Sequence, residues 1–360
     1  MQSGNGLFSF YKLGLNRRAT TMTEGPDGAL WFAMSGHRRS YIGRMTTSGK
    51  LSAYRSTSSL FAPTGITTGS DGALWFTNTS AGESSNTTCS GRFAIGRITT
   101  RGKMTFYTDR SLLFPGSLFT GPDGALWFLN GGCGGVPLSL ERMTTSGIVT
   151  NSFSLAGIAG SILDITTGPD GAMWFTDDGY LQGSARVGQS IGRITTSGAI
   201  TMYPVTTGLM VSAEGPIDIT AGPDGALWFA NQGGACTPVG QDAVCLTYTS
   251  IDRITTSGVV TAYYPPNGAN FGSATGPVAM AAGPDSSVWF ANYGLDPSIG
   301  QITSSGAITL YSMTGGRGGP TSITTGSDGA IWFANDFGIV KSFFSKRTTE
   351  KYSIGRLAPT

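Results

Sequence analysis

The sequence predicts an all-β protein, a seven-bladed β-propeller with four antiparallel strands per blade, and three observations carry that prediction. All seven tryptophans sit in copies of one octet, first met as Gly25-Pro-Asp-Gly-Ala-Leu-Trp31-Phe32 and repeated around Trp75, Trp127, Trp174, Trp228, Trp289 and Trp332. A second motif follows, as in Ile42-Gly-Arg-Met-Thr-Thr-Ser-Gly49, and begins again at Ile95, Leu140, Ile191, Ile251 and Ile299. The two ends of the chain are complementary: the last unit stops at Ile354-Gly-Arg-Leu-Ala-Pro-Thr360, and Leu7-Phe-Ser-Phe-Tyr-Lys12 reads as a strand with no unit before it. Successive tryptophans lie 43 to 61 residues apart, a period that suits one four-stranded blade.

Each strand follows from its local chemistry. Strand a precedes the octet, as in Pro63-Thr-Gly-Ile-Thr-Thr68. The Gly-Pro-Asp-Gly turn comes next, with Pro preset for the second position, Asp able to bond nearby backbone and Gly free to take positive φ. Strand b, Ala-Leu-Trp-Phe, is a continuous apolar run, so both of its faces are covered. Strand c is Ile-Gly-Arg-Ile-Thr, a Thr-Ser-Gly turn follows, and strand d closes the unit on an aromatic, as in Ile200-Thr-Met-Tyr203. Residues 1–13 are then expected to complete blade seven, which would make residues 1–360 one closed domain and remove two exposed sheet edges.

Composition limits the rest. Gly is 55 of 360 residues, about twice the usual share, yet no Gly recurs every third residue as collagen requires. With 39% hydrophobic residues there is material for a large core, and a net charge of +2 argues against a dedicated nucleic-acid binder. No run of about 18 apolar residues suggests a membrane-spanning helix. The first residues, Met1-Gln-Ser-Gly-Asn-Gly, lack a signal-peptide pattern.

The paired signature, Gly-Pro-Asp-Gly-Ala-Leu-Trp-Phe with Ile-Gly-Arg-Ile-Thr-Thr-Ser-Gly, resembles the streptogramin B lyase (virginiamycin B lyase) family across essentially the whole chain. The resemblance implies a seven-bladed propeller. It also implies an elimination that opens the lactone of cyclic depsipeptides, with a magnesium ion held among acidic residues and histidines near the centre of one face. The one histidine of this chain is His37, after strand b of blade one, so no catalytic residue of the family is assigned to a position here.

Candidate site residues lie where the repeats differ. The a–b and c–d turns are short and uniform, whereas the b–c connections vary from roughly 8 to roughly 21 residues, which directs binding to the face that carries the b–c and d–a connections. Asp164 and Asp218 hold one register of strand a in blades four and five, where other blades have Thr21, Gly65, Ser117, Ala279 and Ser322. Asp177 and Asn231 follow strand b of the same two blades. Together these four suggest an oxygen-rich site for Mg or Ca, or else a hydrated tunnel whose carboxylates bond backbone amides. A basic sector is expected from blades seven and one, with His37, Arg38, Arg39 and Lys341, and the aromatic residues Phe343 and Phe344 on the same rim.

All four cysteines fall in b–c loops. Cys236–Cys245 and Cys89–Cys133 are the favoured disulfides, which would imply a secreted, periplasmic or cell-surface protein; free thiols and, without a Cys-x-x-Cys pair, zinc are the alternatives. The leading functional expectation is a binding module for an unknown small molecule or protein. A divalent-metal-dependent lyase is the rival, and a self-assembling structural subunit is the third reading.

Overall fold

A computed structural model describes residues 2–3, 7–14, 17–36, 39–57, 61–79, 93–132, 135–158, 160–182, 185–205, 215–232, 235–239, 242–246, 249–265, 271, 276–294, 296–313, 319–336 and 352–359. Seven sheets form the ring, each with strands a to d in antiparallel order. Strand a of blade one is Arg17–Glu24, and those of the following blades are Pro63–Thr68, Leu118–Thr120, Ile165–Thr167, Gly215–Ala221, Gly276–Ala282 and Gly319–Thr325. Leu7–Lys12 pairs antiparallel with Tyr352–Ala358, from Leu7↔Ala358 to Lys12↔Ser353, so this N-terminal strand completes the last blade as expected.

Two features were not anticipated. Gln2–Ser3 adds a short parallel strand to the outer edge of blade six, against Ile308–Ser312, before the chain crosses to blade seven. The b–c connections of blades four and five are partly built as two-stranded hairpins, Tyr180–Gln182 with Ala185–Val187 and Ala235–Val239 with Asp242–Leu246.

The core lies between blades. Every tryptophan is buried, and each ring stacks on the aromatic of its own strand d, for instance Trp174 on Tyr203 with centroids 5.5 Å apart. In blade seven that aromatic is Tyr11, supplied by the N-terminal strand. A Cβ added to the c–d turn glycine of the next blade would run into the same aromatic, Gly258 into Tyr203 and Gly49 into Tyr11. These glycines also hold positive φ, 91° and 87°, so the turn needs glycine twice over. Threonine hydroxyls then tie strand to strand around the ring, as Thr120 Oγ1 donates to Thr68 O at 2.6 Å and Thr167 Oγ1 to Thr120 O at 2.9 Å.

The repeated polar residues serve this scaffold. In blade four the Trp174 indole donates to Asp170 Oδ1 at 2.9 Å and Arg193 Nε to Asp170 Oδ2 at 2.6 Å. Burial opposes ionisation of Asp170, but the Trp174 and Arg193 bonds outweigh it and hold the carboxyl below its usual range. Blade six keeps the arrangement with Gln301 in place of the arginine.

Asp170→Ala, which strands both an indole N–H and a guanidinium, is expected to cost about 1–3 kcal/mol of stability. Arg193→Gln, which copies blade six, is expected to cost less than half as much. Chemical denaturation of the two variants tests this order.

Candidate functional site in the central channel

The innermost strands wall the central channel, and a recurring irregularity shapes that wall. Register shifts occur between Ala19/Met22, Pro63/Ile66, Pro216/Asp218, Pro277/Ala279 and Pro320/Ser322. Such bulges bend a strand and re-aim its side chains. Thr21, Gly65, Ser117, Asp164, Asp218, Ala279 and Ser322, one from each blade, line one cavity of about 540 Å³. Thr79, Phe93 and Phe114 also line it, so the cavity lies at the end of the channel served by the long b–c and d–a connections.

The cavity is chemically two-sided. Met22, Ile66, Leu118 and Met280 give it apolar walls, and Phe93 and Phe114 meet edge to face with centroids 5.7 Å apart. Asp164 and Asp218 bring the two carboxyls. Each reaches the backbone of the following blade: Ile219 N donates to Asp164 Oδ2 at 3.1 Å, and Met280 N donates to Asp218 Oδ2 at 2.7 Å. Thr21 makes the corresponding link in reverse, donating to Thr64 O at 2.8 Å. The tunnel carboxylates thus bond backbone amides of the next blade.

Both side chains keep some surface open to the channel, but protein surrounds the channel on every side. Burial accordingly pushes the Asp164 carboxyl up to about 7, against the pull of the Ile219 and Ile165 amides. Burial raises Asp218 as well, and the charge of Asp164 raises it further. The two groups therefore disfavour double ionisation.

Asp177 and Asn231 do not line the cavity. Asp177 is the buried last residue of strand b, where Ser190 Oγ donates to its Oδ2 at 2.8 Å and Gly179 N to its Oδ1 at 3.1 Å. Its position is filled by Asn78, Asn130, Asn231, Asn292 and Asn335 in five other blades, all buried, which is the recurrence of scaffolding. Asn78 and Asn130 clamp d–a connections by accepting from Ala62 N and Leu113 N. No group of three or more His, Cys, Asp or Glu able to hold a metal occurs among the described residues. A divalent cation in the channel would meet two carboxylates, a donor set that leaves most of a six-fold shell to water.

Of the expected basic rim, His37, Arg38, Lys341, Phe343 and Phe344 lie outside the described residues, as do Cys89 and Cys133. Arg39 is exposed. Arg17 lies over the Tyr41 ring at 4.5 Å, and Arg18 pairs with Asp336 across the seam of blades one and seven at 3.3 Å.

Sequence reasoning passed over two buried acids. Glu141 and Asp252 stand in strand c of blades three and five where the other blades have glycine, and a Cβ at any of those glycines would collide with the phenylalanine of strand b. Ser139 Oγ and Ser152 Oγ donate to Glu141 Oε1 at 2.7 and 2.8 Å. The break in Ile-Gly-Arg was the signal that could have found them.

The profile of the Virginiamycin B lyase family matches residues 2–94, 87–242 and 245–340. Among solved structures, a streptogramin B lyase matches with a TM-score of 0.70 and 26% identity over 99% of this chain and 98% of that one. A catalytically inactive histidine-to-alanine variant of virginiamycin B lyase from Staphylococcus aureus, determined with quinupristin, matches with a TM-score of 0.70 and 28% identity over 98% and 99%. Comparison with curated protein sequences gives no match.

Because both channel carboxyls are raised, their contribution to stability is complete below the unfolded value near pH 3.9 and is lost as pH rises towards about 7. Asp164→Asn is expected to flatten that slope and to lower the Asp218 pKa, since it removes the neighbouring charge. Carboxyl-carbon NMR titration of the variant reads both effects.

Proposed function

The chain belongs to the Virginiamycin B lyase family, and from that premise we propose that it is a secreted or surface-associated binding propeller that takes a small cationic, partly apolar molecule at the loop-rich mouth of its channel. The cavity is the observation that carries this reading. Its volume of about 540 Å³ falls in the range of small-molecule sites, roughly 300–1,000 Å³. Its apolar walls suit a hydrophobic body, and Asp164 with Asp218 suits an ammonium group that would compensate two carboxylates poorly able to ionise together. A bare metal ion would leave most of that volume and both phenylalanines unused.

Isothermal titration with a series of apolar amines and their carboxylate analogues tests the reading. Amines are expected to bind, carboxylates to fail, and Asp164→Asn with Asp218→Asn to weaken amine binding at least tenfold; equal binding of both series would count against it.

Family membership favours the lyase as the second reading, and quinupristin, the molecule in the related Staphylococcus aureus structure, is the substrate to try. Elimination would give a ring-opened product of unchanged mass, whereas hydrolysis would add a water. With magnesium present, the binding reading expects chromatography and mass spectrometry to return the starting compound alone.

The extracellular part of the proposal draws on Cys236 and Cys245. They are Cα partners in the blade-five hairpin. Directly paired residues of an antiparallel ladder have Cα atoms about 4.5–5.5 Å apart, within the range a disulfide spans. Intact mass measurement under denaturing, non-reducing conditions is expected to show the loss of two hydrogens between these residues, to a thiol–disulfide oxidant of an oxidising compartment, and recovery of both thiols on reduction.

A further inference from the structure

Blade five departs from the repeat at Asp252, which occupies the position of Gly43, Gly96, Gly192, Gly300 and Gly355 in five other blades. Asp252 is fully buried, and Asn231, on the neighbouring strand b, is 1% exposed. Asn231 Nδ2 donates to Asp252 Oδ2 at 3.0 Å. That bond leaves two buried atoms without a hydrogen-bond partner among the described residues, Asn231 Oδ1 and Asp252 Oδ1. They are the two remaining atoms of one amide–carboxyl pair. An amide oxygen and an ionised carboxylate can only accept, so neither can serve the other, and each orphaned acceptor carries a desolvation cost.

One proton resolves both. Placed on Asp252 Oδ1 it makes that atom a donor to Asn231 Oδ1, and the pair closes into a ring of two hydrogen bonds, N–H to carboxyl oxygen and O–H to amide oxygen. We infer that at acidic pH Asp252 is a neutral carboxylic acid in the folded protein, joined head to head with Asn231 in a pH-sensitive clasp between strands b and c of blade five.

The surroundings agree. Burial pushes the Asp252 carboxyl up to about 6, opposed by hydrogen bonds from Ser250 and Asn231, and no cationic group contributes. Arg253, the next residue of strand c, is committed to Asp224 at 2.6 Å. On strand a, the Asp218 carboxyl is turned to the channel and Met280 N. On blade four, Asp177 and Asp178 are engaged with Ser190 and with Ser161 N. Tyr264 is the titratable neighbour that senses Asp252: burial, then the Asp252 charge, raises its phenol. The clasp lies at the foot of the inserted hairpin, where strand b ends at Gln232 and strand c begins at Thr249. Ionisation would therefore loosen the two strands from which that hairpin rises.

The test is Asp252→Asn. An asparagine there supplies the same two-bond ring with Asn231 and cannot ionise. Stability of the variant and the wild-type chain should match near pH 4. The wild-type chain should then lose its Asp252 contribution as pH rises from about 4 to about 6, which leaves the variant about 100-fold favoured in its folding equilibrium at pH 7.5. A variant less stable than wild type at pH 7.5, or a difference that does not change with pH, would overturn the inference. Infrared spectroscopy of the wild-type chain gives a reading independent of the variant's folding. With aspartates carrying a 13C carboxyl, one protonated-acid carbonyl band should disappear in a titration centred near pH 6 with a shift of the asparagine amide band. Absence of any such coupled change would equally overturn it.

Discussion

The bond set on which the ring depends is the one between each turn aspartate and the tryptophan four residues later. The aspartate takes the indole N–H with one oxygen and, in six blades, an arginine from strand c with the other, as in Asp27 with Trp31 and Arg44. The indole must be buried to hold neighbouring blades together, and a buried N–H must have an acceptor. The carboxylate that supplies it would be costly to desolvate alone, and the guanidinium compensates its charge. With the ring fixed in this way, its face stacks on the aromatic of strand d. Packing, turn and sheet register are thereby settled together, blade after blade.

With the scaffold repeated from unit to unit, chemistry resides in departures from it. The channel register is the clearest case. Its residues run through threonine, glycine, serine, alanine and two aspartates, and all of them face one cavity, beside a bulge of strand a in blades one, two, five, six and seven. Asp164 and Asp218 combine two duties there. They accept backbone amides from the next blade, which helps to join blades four to six, and they set the polarity of the cavity.

Much of this was legible in the sequence. The tryptophan octets counted the blades, the aromatic strand at Leu7 announced how the ring closes, and the register of Asp164 and Asp218 placed both carboxyls on the channel. Asp177 and Asn231 were harder, because they belong to a position shared by six blades and look distinctive only when two blades are read alone. The hairpins of blades four and five were hidden for a different reason. Tyr180–Gln182 of the blade-four hairpin is exposed along its whole length, so no apolar period marks it. Asp252 was hidden by size: an acid at a glycine position changes one letter of a motif, and its meaning appears only when burial and hydrogen-bond partners are known.

The closing strand has a consequence for how the ring assembles. Leu7 faces Ala358, and Tyr11 stacks on Trp332, so the longest contacts in the molecule join its two ends. Strands a to d of blades one to six each come from contiguous chain. The seventh requires a strand made at the outset to wait for partners made at the finish, and contacts of that sequence separation carry the largest loop-closure entropy. The seam is thus where closing the ring carries its largest entropic cost.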